Sequence, residues 1–453
     1  MTLPNYFLAD LPPEATLSAA IIREACQTLK HNREQFLRAR PTASLVKLLA
    51  STAENWLCPD YPFRKLALEH GPAATGFTSE TLASGLDSFF AQMTGEQILA
   101  LLQQDLGHAS RLDELAASPV EQKSRRAAHA HGPEFLVQIA AGNLPNPTLM
   151  SIVLGVLTRS AQFVKCATGT SYLPRLFAHS LYDADPKLGA CLEIAEWPGG
   201  KRELEDALFA EADCVTATGG DETLLAIRQR LPDKIRFLGY GHRLSFGYIT
   251  HEVLSGFGAK KVVARASDDV IAWDQLGCLS PHVFYVEHGQ SSTAERFAEM
   301  LAEELARRET SAPRGALPIE AAAAIATRRS FYQVRAAHSE ETKHWFSENS
   351  TAWSVILESD ALFQTSCLHR FVYVKPVANL NEALQGADAV RCHVSTVGLA
   401  APDEESPALA LQLARWGAAR VCPIGQMQKP PLTWRHDGRP GLGDLVAWSD
   451  FEL

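Results

Sequence analysis

Phe135-Leu136-Val137-Gln138-Ile139-Ala140 runs into Gly142-Asn143-Leu144-Pro145-Asn146-Pro147, and this junction decides the fold. The first stretch is short and mostly apolar and reads as a buried strand. The second is dense in Gly, Asn and Pro, the residues that turn a chain. An apolar helix follows, from about Leu149 to Leu157. The same alternation continues outward. Strands read at 162–166, 191–195, 213–217 and 235–238. Helices read around 176–181, 203–211 and from the turn Thr218-Gly219-Gly220 to about Arg230. Strands alternating with helices imply an α/β fold with a parallel, doubly wound sheet. Such sheets bind ligands beyond the carboxyl ends of their strands.

Before this region the chain reads as helical, with apolar residues at helical spacing over 21–36, 44–56 and 96–106. After it, a second α/β segment begins near Ser245. It carries the strand Val283-Phe284-Tyr285-Val286-Glu287, helices at 294–307 and around 319–327, the strand Phe371-Val372-Tyr373-Val374, and a helix start at 379–384. The expected domains are therefore a helical N-terminal region (1–120), two α/β domains (121–244 and 245–425) and a C-terminal return segment (426–453).

A length of 453 residues is too great for one ordinary core, so more than one domain is required. A hydrophobic fraction of 46% and a charged fraction of 21% describe a globular protein in water. The formal net charge of −10 argues against a general nucleic-acid or acidic-membrane partner. No apolar run reaches the roughly 20 residues that span a bilayer, and Met1-Thr2-Leu3-Pro4 does not begin a secretory signal. The nine cysteines are scattered, with no CxxC pair, so the expectation is a reducing cytoplasm without a disulfide framework. No HExxH or comparable histidine spacing occurs, and no metal is expected.

One cysteine stands apart. Cys278 lies in Trp273-Asp274-Gln275-Leu276-Gly277-Cys278-Leu279-Ser280-Pro281, on a glycine turn just before a strand. A thiol fixed there is placed to be a nucleophile, although a buried cysteine is more often inert packing. Asn143 either closes its turn or points its amide into the ligand crevice, where it can donate to an oxyanion. Lys165, at the end of its strand, is either a solvated strand end or a point charge for a ribose or phosphate. Thr218-Gly219-Gly220 can present backbone N–H groups to a pyrophosphate, but the full GxGxxG fingerprint is missing. His242, in Gly239-Tyr240-Gly241-His242-Arg243-Leu244-Ser245, is an acid–base group, a cofactor contact or a structural histidine.

Together these pieces resemble the aldehyde dehydrogenase superfamily, and within it the long-chain acyl-CoA reductases of the bacterial bioluminescence type. The runs that carry the resemblance are Ala141-Gly142-Asn143-Leu144-Pro145, Phe163-Val164-Lys165, Ala217-Thr218-Gly219-Gly220-Asp221, Gly241-His242-Arg243-Leu244-Ser245 and Asp274 to Pro281. His436-Asp437-Gly438 and Leu445-Val446-Ala447-Trp448 fit as well. The resemblance implies an aldehyde dehydrogenase-like fold of two doubly wound α/β domains with a helical N-terminal region, making 121–244 the dinucleotide-binding α/β domain and 245–425 the catalytic α/β domain that carries Cys278. It makes Cys278 the nucleophile that takes the acyl group. Asn143 becomes its oxyanion-hole amide and Lys165 the contact to the adenosine ribose. Thr218, Gly219 and Gly220 form the turn beside the pyrophosphate.

Departures from the superfamily pattern sharpen the expectation. Where a glutamate commonly holds the ribose 2′-hydroxyl, this chain has Thr168, which does not repel a 2′-phosphate, so NADPH is the expected cofactor. The Glu-Leu-Gly-Gly base of the hydrolytic members has no evident equivalent, which suits an enzyme that must keep its thioester from water. The Glu-x-Phe-Gly-Pro motif is also absent; Cys367-Leu368-His369-Arg370 stands before Phe371. The implied activity is NADPH-dependent reduction of a fatty acyl thioester to the aldehyde through a Cys278 thioacyl intermediate, with His242 as proton donor. The implied donor is acyl-CoA or an acyl-protein, with an acyl-protein synthetase as a candidate partner, and the chain is expected to form a homo-oligomer. Two alternatives stand beside it: an NAD(P)-dependent aldehyde dehydrogenase making acid, and a non-reducing acyl-binding component of a fatty-acid reductase complex.

Overall fold

A computed structural model describes residues 3–12, 14–140, 142–255, 258–289 and 293–452. Ala141, first residue of the Ala-Gly-Asn-Leu-Pro run, lies outside the described residues. The chain forms two compact units. The first comprises Met1–Thr75, Leu86–Gly241 and Pro431–Leu453; the second comprises Gly76–Gly85 and His242–Pro430.

In the first unit a strand β1 (Arg126–His131) precedes a five-stranded sheet. Its strands are β2 (Phe135–Ile139), β3 (Ala161–Cys166), β4 (Leu192–Glu196), β5 (Cys214–Thr218) and β6 (Arg236–Tyr240). All pairings are parallel and the order is β4-β3-β2-β5-β6. Chain direction across the sheet therefore reverses between β2 and β5, which makes that seam the topological switch point. The strands expected from the sequence are present to within two residues at each end. One face packs on the helix Ala19–Phe36 through Ile22, Cys26 and Leu29, three or four residues apart as a helical stripe requires. Ser18 caps that helix, its hydroxyl accepting the Ile21 N–H.

The second unit is built on a seven-stranded sheet: β7 (Leu244–Ile249), β8 (Pro281–Glu287), β9 (Thr342–Phe346), β10 (Ser354–Glu358), β11 (Phe371–Val377), β12 (Val394–Ala400) and β13 (Arg420–Pro423). The order is β13-β12-β7-β8-β11-β10-β9, with β9 the antiparallel edge. Both faces are covered. Phe284, Val286, Val372 and Val374 pack on one side, and Phe246, Val283, Tyr285 and Tyr373 on the other. That is why β8 reads as a continuous apolar run rather than an alternating one. The last strand, β14 (Ala447–Glu452), belongs to the first unit and pairs antiparallel with β1. No described helix is long and apolar enough to cross a membrane.

Candidate active site

The carboxyl edge of the first unit's sheet gathers most of the residues singled out from the sequence. Asn143 follows β2, and Thr218 ends β5 with Gly219-Gly220 directly after it. Because β2 and β5 are neighbours, with Ile139 beside Ala217, the two turns flank the switch point. Lys165 is one strand further, beside Ile139 on β3. Asn143 is exposed on its turn, and the Pro145-Asn146-Pro147 sequence starts the helix Asn146–Leu157 directly behind it. A methyl group on Gly142 would sit 3.6 Å from Thr170 and 3.7 Å from Ala167, so this turn lies against the loop after β3.

Lys165 is unusual. It is 5% exposed, and among the described residues no carboxylate forms an ion pair with it. Its ammonium stands over the Trp197 ring, 5.8 Å from the centroid. Burial pulls its pKa down, against the weaker pull of Glu205, Cys166 and Glu196. A buried cation without a counter-ion is costly unless a ligand satisfies it. The loop beyond it is pinned by Glu196, whose carboxylate accepts the N–H groups of Gly169 at 2.8 Å and Ser171 at 3.2 Å. That holds Thr168 exposed at the tip, with no carboxylate of its own.

Gly219 donates its N–H to the Tyr240 carbonyl, and Gly220 caps the helix Asp221–Arg230. Nothing lies within 4 Å of where a Gly220 Cβ would be. The protein's own packing does not demand glycine there, and the open space suits an approaching ligand. Asp221 and Glu222 already occupy the first turn of that helix, so its N-terminus offers less to a phosphate than the turn alone suggests. A buried lysine with no ion pair among the described residues, and a glycine beside open space, fit a dinucleotide at this edge.

The second unit presents the thiol at the opposite kind of edge. Cys278 is a partly exposed cysteine, in no disulfide among the described residues, just before β8 at the amino ends of the parallel strands. Ser245, at the start of β7, donates its hydroxyl to the Cys278 carbonyl at 2.8 Å and accepts the Thr396 N–H at 3.1 Å. The Gln428 side-chain amide holds the Ser280 hydroxyl. His242 precedes β7 at this same edge and is exposed.

Leading into this turn, Trp273, Asp274 and Gln275 adopt φ of 52°, 49° and 65°. Three successive non-glycine residues in the left-handed region cost on the order of 1–2 kcal/mol each. Leu368, His369 and Arg370 do the same, at 61°, 54° and 66°, just before β11. Arg370 and Asp274 join the two runs as a buried ion pair with contacts of 2.6 and 3.0 Å.

Sequence reasoning missed Asp274, Gln275, Arg370 and His282 as members of this edge. His282 is 4% exposed, the second residue of β8, and its Nδ1 accepts the Ser366 N–H at 3.0 Å. That bond leaves the ring proton on Nε2. Burial first, and the charge of His242 second, push its pKa down to about 4, so His282 stays neutral. A histidine inside the run Pro281-His282-Val283-Phe284 was the available signal: a polar ring at the head of an apolar strand.

The chain matches the acyl-CoA reductase (LuxC) family over residues 37–448. It is similar to a long-chain acyl-protein thioester reductase of Aliivibrio fischeri, 22% identical over 421 residues, which span 90% of this chain and 82% of that protein. Among solved structures, a bifunctional proline utilization A protein superposes with a TM-score of 0.71 at 16% identity, over 98% of this chain and 46% of that one. The Δ-pyrroline-5-carboxylate dehydrogenase of Mycobacterium tuberculosis gives 0.69 at 13% identity, over 96% of this chain and 83% of that one. At such identities the solved structures bear on fold alone. The chain has an aldehyde dehydrogenase-like fold and belongs to the acyl-CoA reductase (LuxC) family.

Proposed function

We propose that this protein reduces a long-chain fatty acyl thioester to the aldehyde with NADPH, using Cys278 as a transient acyl carrier. The observation that carries the proposal is a partly exposed thiol on a turn tied down through Ser245 and Ser280 at the head of β8. Family membership and the acyl-protein thioester reductase of A. fischeri support the substrate class, with the acyl group borne on coenzyme A or on a protein.

The Cys278 thiolate attacks the thioester carbonyl, its sulfur–carbon bond forms, and the donor leaves as a thiolate. The Asn143 side-chain amide and the Cys278 backbone N–H donate to the oxyanion that develops. A reduced nicotinamide, when bound, supplies the hydride that makes aldehyde of the thioacyl group. His242 gives the proton that balances it, and the carbon–sulfur bond breaks to return the free thiol. Lys165 meets the cofactor's ribose, the Thr218-Gly219-Gly220 turn its pyrophosphate, and the uncharged Thr168 tolerates a 2′-phosphate.

The test is NADPH consumption across acyl thioesters from short to long chain, with the product identified. Aldehyde formed in proportion to NADPH consumed is expected, with Asn143→Ala slowing it by about 100-fold, the scale for one oxyanion donor. Thioester cleaved to acid with no NADPH consumed would refute the proposal.

A further inference from the structure

We propose that the two left-handed turns are a strap that positions the nucleophile: Arg370, Asp274 and Gln275 hold the chain on either side of the Cys278 turn in one geometry, so that the thiol meets its thioester correctly aimed. This rests on the reading of Cys278 as acyl carrier and adds positioning residues to it.

The strap is over-determined by its hydrogen bonds. The Arg370 guanidinium reaches the Asp274 carboxylate through two nitrogens, Glu309 at 3.0 Å and the Ala312 carbonyl at 2.8 Å. The second Asp274 oxygen accepts the Gly315 N–H at 3.0 Å. Gln275, fully buried, places its side chain across β8 and β11: its NH₂ donates to the Pro281 and Phe371 carbonyls, and its oxygen accepts the Phe371 N–H, all at 2.8 Å. Cys278 is thus bracketed, with Gln275 bound on one side and Pro281 held by that same amide on the other. Trp273 is wedged in place, with the Phe77 ring edge-on at 5.2 Å and Gly85 leaving no room for a side chain against the indole.

A chain that merely had to connect a helix to β8 would relax into right-handed backbone. Strain of this kind persists where the surroundings force it, and it concentrates at sites whose geometry matters. Arg370 carries its charge already neutralised by Asp274 and Glu309. Its effect on the thiol is therefore one of position rather than field. Attack on a bound thioester depends on aim, whereas alkylation by a small diffusing reagent does not.

The experiment measures two rates on the full chain: acylation of Cys278 by a fatty acyl thioester without NADPH, and alkylation by iodoacetamide as a function of pH. Arg370→Lys keeps the charge but not the fork that reaches three partners. Its acylation is expected to fall at least tenfold, with the alkylation rate within threefold of wild type and the same pH midpoint. A purely structural role predicts acylation that tracks the folded fraction, so a wild-type rate in folded Arg370→Lys overturns the strap. Should that variant not fold, His369→Gly decides. It relieves one left-handed residue, so it should melt no earlier than wild type yet acylate at least threefold more slowly; an unchanged rate overturns the proposal. Wild type that is alkylated at Cys278 but never acylated there would instead remove the acyl-carrier reading, and the strap's function with it.

Discussion

At the carboxyl edge of the first unit's sheet the chain turns through Gly142, Gly169 and Gly219-Gly220, and leaves Lys165 buried without a described counter-ion. At the amino edge of the second unit's sheet it turns through Trp273, Asp274 and Gln275 in left-handed backbone, and Arg370 there is matched by two carboxylates. The first edge keeps open space beside Gly220 and a lysine with no ion pair among the described residues, as the proposed cofactor site would require. The second holds its backbone in a strained geometry, as the proposed covalent catalysis by Cys278 would require. A buried cation near a turn is thus ion-paired at one edge and without an ion pair among the described residues at the other.

That contrast can be broken by removing the two cations. Arg370→Met strands the Asp274 carboxylate in the interior and should destabilise the second unit by about 3–5 kcal/mol, read as a lowered denaturation midpoint. Lys165→Met removes a buried charge that no described carboxylate pairs. It should unfold no earlier than wild type, while raising the KM for NADPH roughly tenfold, the scale of one lost ribose contact. Equal destabilisation by both substitutions would erase the distinction.

Acid sharpens the second edge further. A free imidazole takes its proton near pH 6.5, but His282 resists until about pH 4. Between those values the unfolded chain binds the extra proton, so folded stability is lost as pH falls through that window, by up to about 3 kcal/mol. His282→Gln should lose less than wild type between pH 7 and pH 4, as compared by urea titration; identical losses would show that His282 does not titrate in this way.

The smallest expected effect is at the first edge. Thr168→Glu places a carboxylate at the tip of the Glu196-pinned loop. It should cut the preference for NADPH over NADH by about tenfold, through repulsion of the 2′-phosphate, with little change in melting temperature. A preference left intact would place the 2′-phosphate elsewhere.

Much of this was readable beforehand, for reasons particular to each segment. The first unit's strands are short apolar runs bounded by turn residues, so β2 to β6 could be read in order. In the second unit β7 begins inside Gly-His-Arg-Leu-Ser, which looks like a polar loop. β12 contains Ser395, Thr396 and Gly398, and its hydroxyl residues are fully buried; local sequence cannot announce a buried serine. The helix read over 319–327 continues to His338, because its later turns carry charged residues on a partly exposed face. Asn143 and Thr218 were each visible as turn residues, yet their adjacency depends on β2 pairing with β5, and strand order is not a local property. The left-handed run Trp273-Asp274-Gln275 contains no glycine or asparagine to advertise it. Only the partners that enforce it reveal it.

The central claim is that Cys278 carries the acyl group. Incubating the protein with a fatty acyl thioester in the absence of NADPH, followed by peptide mass spectrometry, tests it most directly. The account predicts one acyl adduct, on the peptide containing Cys278, which disappears as aldehyde forms when NADPH is added. Aldehyde produced at the wild-type rate by Cys278→Ala, or an adduct on another residue that is the one consumed, would contradict it.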